Sequence, residues 1–270
     1  MPQNETQSTI AVAIESAVAT IAFNRPDVRN AVNETLRADL VAAIERVAAD
    51  DAVRAVVITG NGPAFCAGGD IAAMQQNAAA PAGKLGFNGW RRQRRLHHVV
   101  AALHGLTKPT IAAVNGPAFG LGCDLAMCCD FVIASESASF AMNFLYRGLV
   151  PDGGGLYFMP RRIGLARAKE LIFTGRRVEP KEALAIGMID RLTSAQSLLA
   201  DARAWATELS GGSLTALALT KEILNRTFEL GDEEVFALGR QAQAICYTTD
   251  EHRDAVAAFL KKSDAKPSGG

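Results

Sequence analysis

Two short runs rich in β-branched residues, at positions 53–59 and 110–114, each stop at a glycine-bearing loop, and this repetition narrows the available folds more than any other feature of the chain. The runs read VRAVVIT and TIAAV, nearly apolar along their length instead of alternating with polar residues. A strand with one wet face alternates; a continuous apolar run of this length is a strand covered on both sides, as in a parallel sheet between helices. The following loops are dense in small residues, GPAFCAGGD at 62–70 and NGPAFGLGCD at 115–124.

The surrounding segments fit the same scheme. Positions 9–14 and 17–23 are β-branched stretches parted by Glu15 and Ser16, a β-hairpin that Asn24-Arg25-Pro26 stops. Leu36, Leu40, Ile44 and Val47 recur at helical spacing over 33–49, with Asn33 as the cap. Helical stretches follow at 89–106 and 120–129, and a third strand at 131–134, so an α/β core is predicted over residues 1–195. From 196 to 262 the pattern is helix only, at 198–209, 214–228, 233–246 and 253–260, and the polar tail 263–270 is expected to be disordered.

A chain of 270 residues that is 49% apolar can bury one substantial domain plus a small appendage. Its 28 basic and 28 acidic residues cancel, so no global field favours nucleic acid or an anionic membrane, and any anion site is local. Arg91, Arg92, Arg94 and Arg95 form a basic run with only Trp90 interleaved, the pattern of a solvated helix face; no nucleic-acid partner is expected. The polar start MPQNETQST and the lack of any apolar run near 20 residues predict no membrane partner and a cytoplasmic location. Five cysteines without C-x-x-C spacing suggest neither disulfides nor a zinc site, and buried, inert thiols are expected. No metal is predicted.

The paired loops carry the chemistry. Small residues let a main chain approach a ligand and aim N–H groups at it, the second loop doing so at the start of a helix. Either loop alone also suits a tight strand-to-helix turn. Gly60-Asn61-Gly62-Pro63-Ala64-Phe65 has Phe where a dinucleotide fingerprint needs its third glycine, and no P-loop or G-x-S-x-G motif occurs.

Phe65-Cys66-Ala67-Gly68-Gly69-Asp70-Ile71 resembles the F-x-A-G-x-D-[IL] loop of the enoyl-CoA hydratase/isomerase (crotonase) family. IAAVNGPAFGLGCDLAMCCD at 111–130 resembles the family signature, and GLVPDGGG at 148–155, MPR at 159–161, TGR at 174–176 and residues 183–187 resemble its later landmarks in the expected order. The similarity covers about residues 9–262. It implies an α/β fold, a spiral of repeated ββα units whose helical C-terminal region builds a homotrimer or a hexamer. It also implies an acyl-CoA substrate and no cofactor, coenzyme A being part of the substrate. Carried over by position, the backbone N–H groups of Ala67 and Leu121 form the oxyanion hole. Phe65, Ala67, Gly69, Asp70, Ile71 and Lys262 bind CoA, and Phe119, Phe144 and Phe259 line the acyl pocket. His97 and His98 share one helix and suit a surface or packing role, with the acyl pocket as the other option.

The resemblance implies Asp152 and Asp124 as the catalytic acids. Asp124 stands at the first hydratase glutamate, one methylene shorter; Phe144 stands at the second; Asp152 falls where isomerase branches carry an acid. Dienoyl-CoA isomerases look similar at both aspartates but have a third acid at the position of Phe144. Water addition ordinarily takes two carboxylates around one water, whereas moving a double bond needs one base that takes a proton from one carbon and returns it to another. Double-bond isomerisation through Asp152, assisted by Asp124, is therefore the leading expectation. A hydratase using Asp124, a ring-processing isomerase or carbon–carbon hydrolase, and a catalytically silent acyl-CoA binder remain open. By residue type alone, Asp152 also suits a turn before Gly153-Gly154-Gly155, and Asp124 a helix's first turn. A free aspartate titrates near 3.9, so burial must raise a useful base.

Overall fold

The computed structural model describes residues 8–79 and 81–264. Two compact units divide between Leu209 and Ser210.

The first unit opens with a hairpin of β1 (Ile10–Glu15) and β2 (Val18–Phe23), antiparallel in the register Glu15 to Val18. Helix α1 (Glu34–Ala49) is capped by Asn33, whose side-chain oxygen accepts from the Leu36 N–H at 2.9 Å, and it buries Leu36, Leu40, Ala43, Ile44 and Val47. After it come β3 (Ala55–Gly60), α2 (Ile71–Ala78), α3 (Ala82–His104) and β4 (Thr110–Val114). Both β3 and β4 are buried at every residue, as two-sided strands must be.

The chain then repeats a unit: β4, β5 (Pro117–Phe119) and α4 (Leu121–Cys128), then β6 (Phe131–Ser135), β7 (Ser139–Ala141) and α5 (Gly155–Ile163). In each turn the first strand joins the main sheet, the second turns off it, and a helix returns. The main sheet runs β1-β2-β3-β4-β6-β8, with β8 at Arg191–Thr193, and β5 pairs in parallel with β7 in a second, two-stranded sheet. Cys66 extends that second layer by bridging to Ala118, so β3, Cys66 and α2 make an earlier turn of the same ββα spiral. Helices α6 (Leu165–Thr174) and α7 (Pro180–Ala185) lead to β8.

Helix α8 (Leu198–Leu209), grouped by its periodicity with the later helices, belongs to the first unit. Leu198, Ala202, Trp205 and Ala206 cover a sheet face made by Val18, Ala55, Val57, Ile111, Ala113 and Ile133. A helix-period pattern reveals an apolar face but not what covers it. The second unit contains α9 (Leu214–Leu224), α10 (Asp232–Cys246) and α11 (Asp250–Asp264). Ser213 caps α9 and hydrogen-bonds Glu251 of α11. Of the tail expected to be disordered, positions 263 and 264 end α11, and 265–270 lie outside the described residues. No helix among the described residues is long and apolar enough to cross a membrane.

Candidate active site

The two small-residue loops are stitched together. The Cys66 N–H donates to the Pro117 carbonyl at 3.1 Å, and the Phe119 N–H donates back to the Cys66 carbonyl at 3.0 Å. On its other side the first loop pairs with residues 29–32. Ala67 N–H donates to Arg29 O at 2.9 Å, Val32 N–H to Gly68 O at 2.8 Å, and Asp70 N–H to Val32 O at 3.1 Å. In an extended segment successive N–H groups point to opposite sides, so with Asp70 facing Val32, Gly69 must face away.

This changes one expected donor. Ala67 cannot offer its N–H to a ligand, because Arg29 already holds it. The Gly69 N–H and the Leu121 N–H, by contrast, have no acceptor among the described residues. They are neighbours: a Cβ on Gly68 would meet the Phe119 carbonyl at 2.8 Å and the Leu121 nitrogen at 3.6 Å. Gly68 (φ 100°) and Gly120 (φ 50°), the residues just before the two donors, both adopt left-handed backbone that ordinary side chains resist. Leu121 is the first residue of α4, where helix N–H groups lack partners and favour a developing negative charge. Two neighbouring free donors, one at a helix start, can bind a carbonyl oxygen more tightly as it gains charge.

The other residues expected to contact CoA divide. Phe65 is fully buried and packs edge-on against Phe23 with ring centroids 5.3 Å apart, so its side chain is core and cannot touch a ligand. Asp70 is committed to the fold: it pairs with Arg25 at 2.9 Å and accepts from the Ala72 and Ala73 N–H groups at the start of α2. Burial works to raise its pKa, yet the Arg25 bond and these N–H groups together hold it below the usual value. Ile71 is 62% exposed and free to meet a ligand. The side chain of Lys262 lies outside the described residues.

Phe119 and Phe144 are half-buried, and the Phe144 ring lies 3.8 Å from where a Gly120 Cβ would stand. Phe259 lies in the second unit, 74% exposed on α11.

The aspartates are brought together. The glycines after Asp152 lie directly on α4: a Cβ on Gly153 would meet Leu121 Cδ1 at 2.5 Å and Asp124 Oδ2 at 2.6 Å, and one on Gly155 would meet Asp124 Oδ1 at 2.5 Å. Asp124 is fully buried, and neither carboxyl oxygen has a well-formed hydrogen bond, although the Gly153 and Gly155 N–H groups face it and partly offset its burial. Burial first, then the charge of Asp152, pushes the Asp124 pKa well above its ordinary value. Asp152 is half-buried; burial raises its pKa too, while its own N–H, His97 and Arg92 pull it back. Burial thus raises both aspartates, the sealed Asp124 more than the half-buried Asp152. Two features escape the sequence reading: the role of Gly69 as donor, and the approach of His97 and Arg92 to Asp152. The glycine triplet 153–155, read above only as a turn, is the sequence signal that could have pointed to close packing on Asp124.

The family model for enoyl-CoA hydratase/isomerase matches residues 13–268. The chain is 34% identical over 249 residues to the short-chain-enoyl-CoA hydratase of Clostridium acetobutylicum, covering 92% of this chain and 93% of that one. It is equally, 34%, identical over 256 residues to the 1,2-epoxyphenylacetyl-CoA isomerase of Escherichia coli, covering 95% and 97%. The crystal structure of an enoyl-CoA hydratase/isomerase from Cupriavidus metallidurans superposes with a TM-score of 0.87 at 36% identity, over 96% of this chain and 95% of that one.

Proposed function

The chain belongs to the enoyl-CoA hydratase/isomerase family, and on that premise we propose that this acyl-CoA enzyme moves a carbon–carbon double bond by a proton shuttle through Asp152. The observation that carries this reading is the contrast between its two aspartates, one half-exposed and one sealed. The thioester oxygen accepts from the Gly69 and Leu121 N–H groups, each such donor contributing about 10²- to 10³-fold. Ionised Asp152 removes a proton from one carbon, the electron pair passes into an enolate, and the same carboxyl returns the proton two carbons away as the double bond re-forms. No proton is gained or lost.

Burial supports Asp152 as the base, because it lifts an aspartate toward the range where proton abstraction is effective. The ring beside Gly120 is that of Phe144, a side chain that can neither hold a water nor transfer a proton. The E. coli relative's name shows that isomerisation occurs among chains this similar, just as the Clostridium relative's name shows hydration. We also propose assembly in multiples of three, which the exposed Phe236, Tyr247 and Phe259 of the second unit support as apolar surface.

The test follows ultraviolet absorbance of the conjugated enoyl thioester with a 3-enoyl-CoA and, separately, a 2-enoyl-CoA. Growth from the 3-enoyl compound, abolished in Asp152→Asn, is expected. Loss from the 2-enoyl compound alone would make the enzyme a hydratase and sink the shuttle. No turnover of either, with tight binding of a non-reactive acyl-CoA analogue, would make the chain a silent binder.

A further inference from the structure

We propose that His97 on α3 is the positioning residue for Asp152, tethering the main chain that carries the base. The proposal rests on the assignment of Asp152 as the proton-transfer group.

His97 Nε2 lies 3.0 Å from the main-chain carbonyl oxygen of Asp152, a contact that spans 55 residues of sequence. A carbonyl can only accept, so Nε2 must carry the hydrogen, and the imidazole acts here as a donor. The segment it grips needs such a hold. Gly153, Gly154 and Gly155 follow Asp152 in succession, Gly154 at φ 114°, and Leu149 and Val150 just before are exposed. Glycines release backbone freedom that a catalytic loop must lose, and only a bond from elsewhere in the fold restores the constraint. On one side the loop is seated on Leu121 and Asp124 of α4; on the other, His97 reaches it from α3.

The charges around Asp152 also come from these elements. From α3, His97 and Arg92 favour its carboxylate; from α4, Asp124 faces it and keeps its own proton; from its own residue, the main-chain N–H favours the charged form. Against them stands burial. Two substitutions separate the hydrogen bond from the rest of the side chain. Alanine removes it, whereas glutamine keeps an N–H donor at about the same reach.

The experiment uses the full chain with the 3-enoyl-CoA assay, kcat and KM profiled against pH, and calorimetry with a non-reactive acyl-CoA analogue. His97→Ala is expected to lower kcat by about 10- to 100-fold, as small misplacements of a reacting group do, while analogue binding stays within about threefold. His97→Gln is expected to recover most of kcat, because its amide N–H restores the hydrogen bond to the Asp152 carbonyl. His97 is exposed, so both variants should melt with the parent. An alanine variant with unchanged kcat overturns the proposal. So does a loss in kcat that glutamine fails to recover, or one matched by an equal loss of analogue binding. Asp152→Asn run alongside keeps the failures apart: full activity there removes the assignment of Asp152 itself, whereas an inactive Asp152→Asn beside a normal His97→Ala removes only the role of His97.

Discussion

Gly122 is pressed against Cys66 so closely that a Cβ on it would come 2.1 Å from the Cys66 carbonyl oxygen. This contact seats the first turn of α4 on the neighbouring loop and so sets the spacing between the Leu121 and Gly69 N–H groups. Gly122→Ala forces the helix away from rigid backbone, not from a side chain that can swing aside. We expect a loss of about 1–3 kcal/mol in stability from overpacking and a fall of about 100-fold in kcat from the displaced donor. Thermal melting and the isomerase assay read the two effects. Gly86→Ala is the control, since nothing lies within 4 Å of a Cβ there. Parental kcat in Gly122→Ala would show that the contact does not set the donor geometry.

Asp70 offers a second handle on the same loop. Its carboxylate caps α2 and pairs with Arg25, which also donates to the Ala31 carbonyl at 2.5 Å. Asp70→Ala loses the cap and leaves the mostly buried Arg25 without its anion, at an expected cost of about 1–3 kcal/mol. Because the loop holding Gly69 starts to loosen, kcat should fall more than analogue binding. Chemical denaturation that leaves the midpoint unmoved would remove Asp70 from the scaffold.

Much of this site was legible in the sequence, and the limits have physical causes. Residues 53–59 and 110–114 read as buried strands because β-branched runs have few other uses, and Asn33 read as a cap from its place before an amphipathic run. The donors were harder. Phe65-Cys66-Ala67-Gly68-Gly69 locates the loop, but which N–H is free depends on Arg29 and Val32, more than thirty residues upstream, which take Ala67 and Asp70 and leave Gly69. Phe65 looked available to a ligand because a loop residue carries no periodicity to mark its ring as core. Pro117 to Phe119 is too short and glycine-flanked to announce itself as β5, and its pairing with Ser139 to Ala141 is a tertiary fact.

The cysteines give a labelling prediction. Cys66 is fully buried, burial pushes its thiol up to about 12, and it donates to the Asn30 carbonyl at 3.1 Å. Cys123 is raised well above its ordinary value by burial and then by Asp124. Cys128 and Cys129 are buried as well, and only Cys246 is partly open. Thiolate, not thiol, reacts, so a disulfide reagent at pH 8 should label the native chain at Cys246 and the unfolded chain at all five cysteines. Rapid native labelling at Cys66 would mean that the first loop opens readily.

Asp124 supplies a stability test whose sign follows from burial. Its pKa is raised in the folded protein, so above the unfolded value of about 3.9 the unfolded chain releases a proton that the folded chain still holds. The unfolded state then binds fewer protons, and stability falls as pH rises from there toward the folded pKa. Asparagine has no such proton. The Asp124→Asn amide meets the Gly153 and Gly155 N–H groups less well, a cost present at every pH, so the informative quantity is the change in the gap between parent and variant. Relative to the parent, the variant should gain in Tm between pH 4 and pH 8. The acidic limb of kcat, which the proposed shuttle assigns to Asp152, should stay where it is, because a neutral Asp124 exerts no charge to remove. A Tm gap independent of pH would show that the Asp124 carboxyl is solvated; a limb moved to lower pH would show that Asp124 is ionised beside Asp152 during turnover.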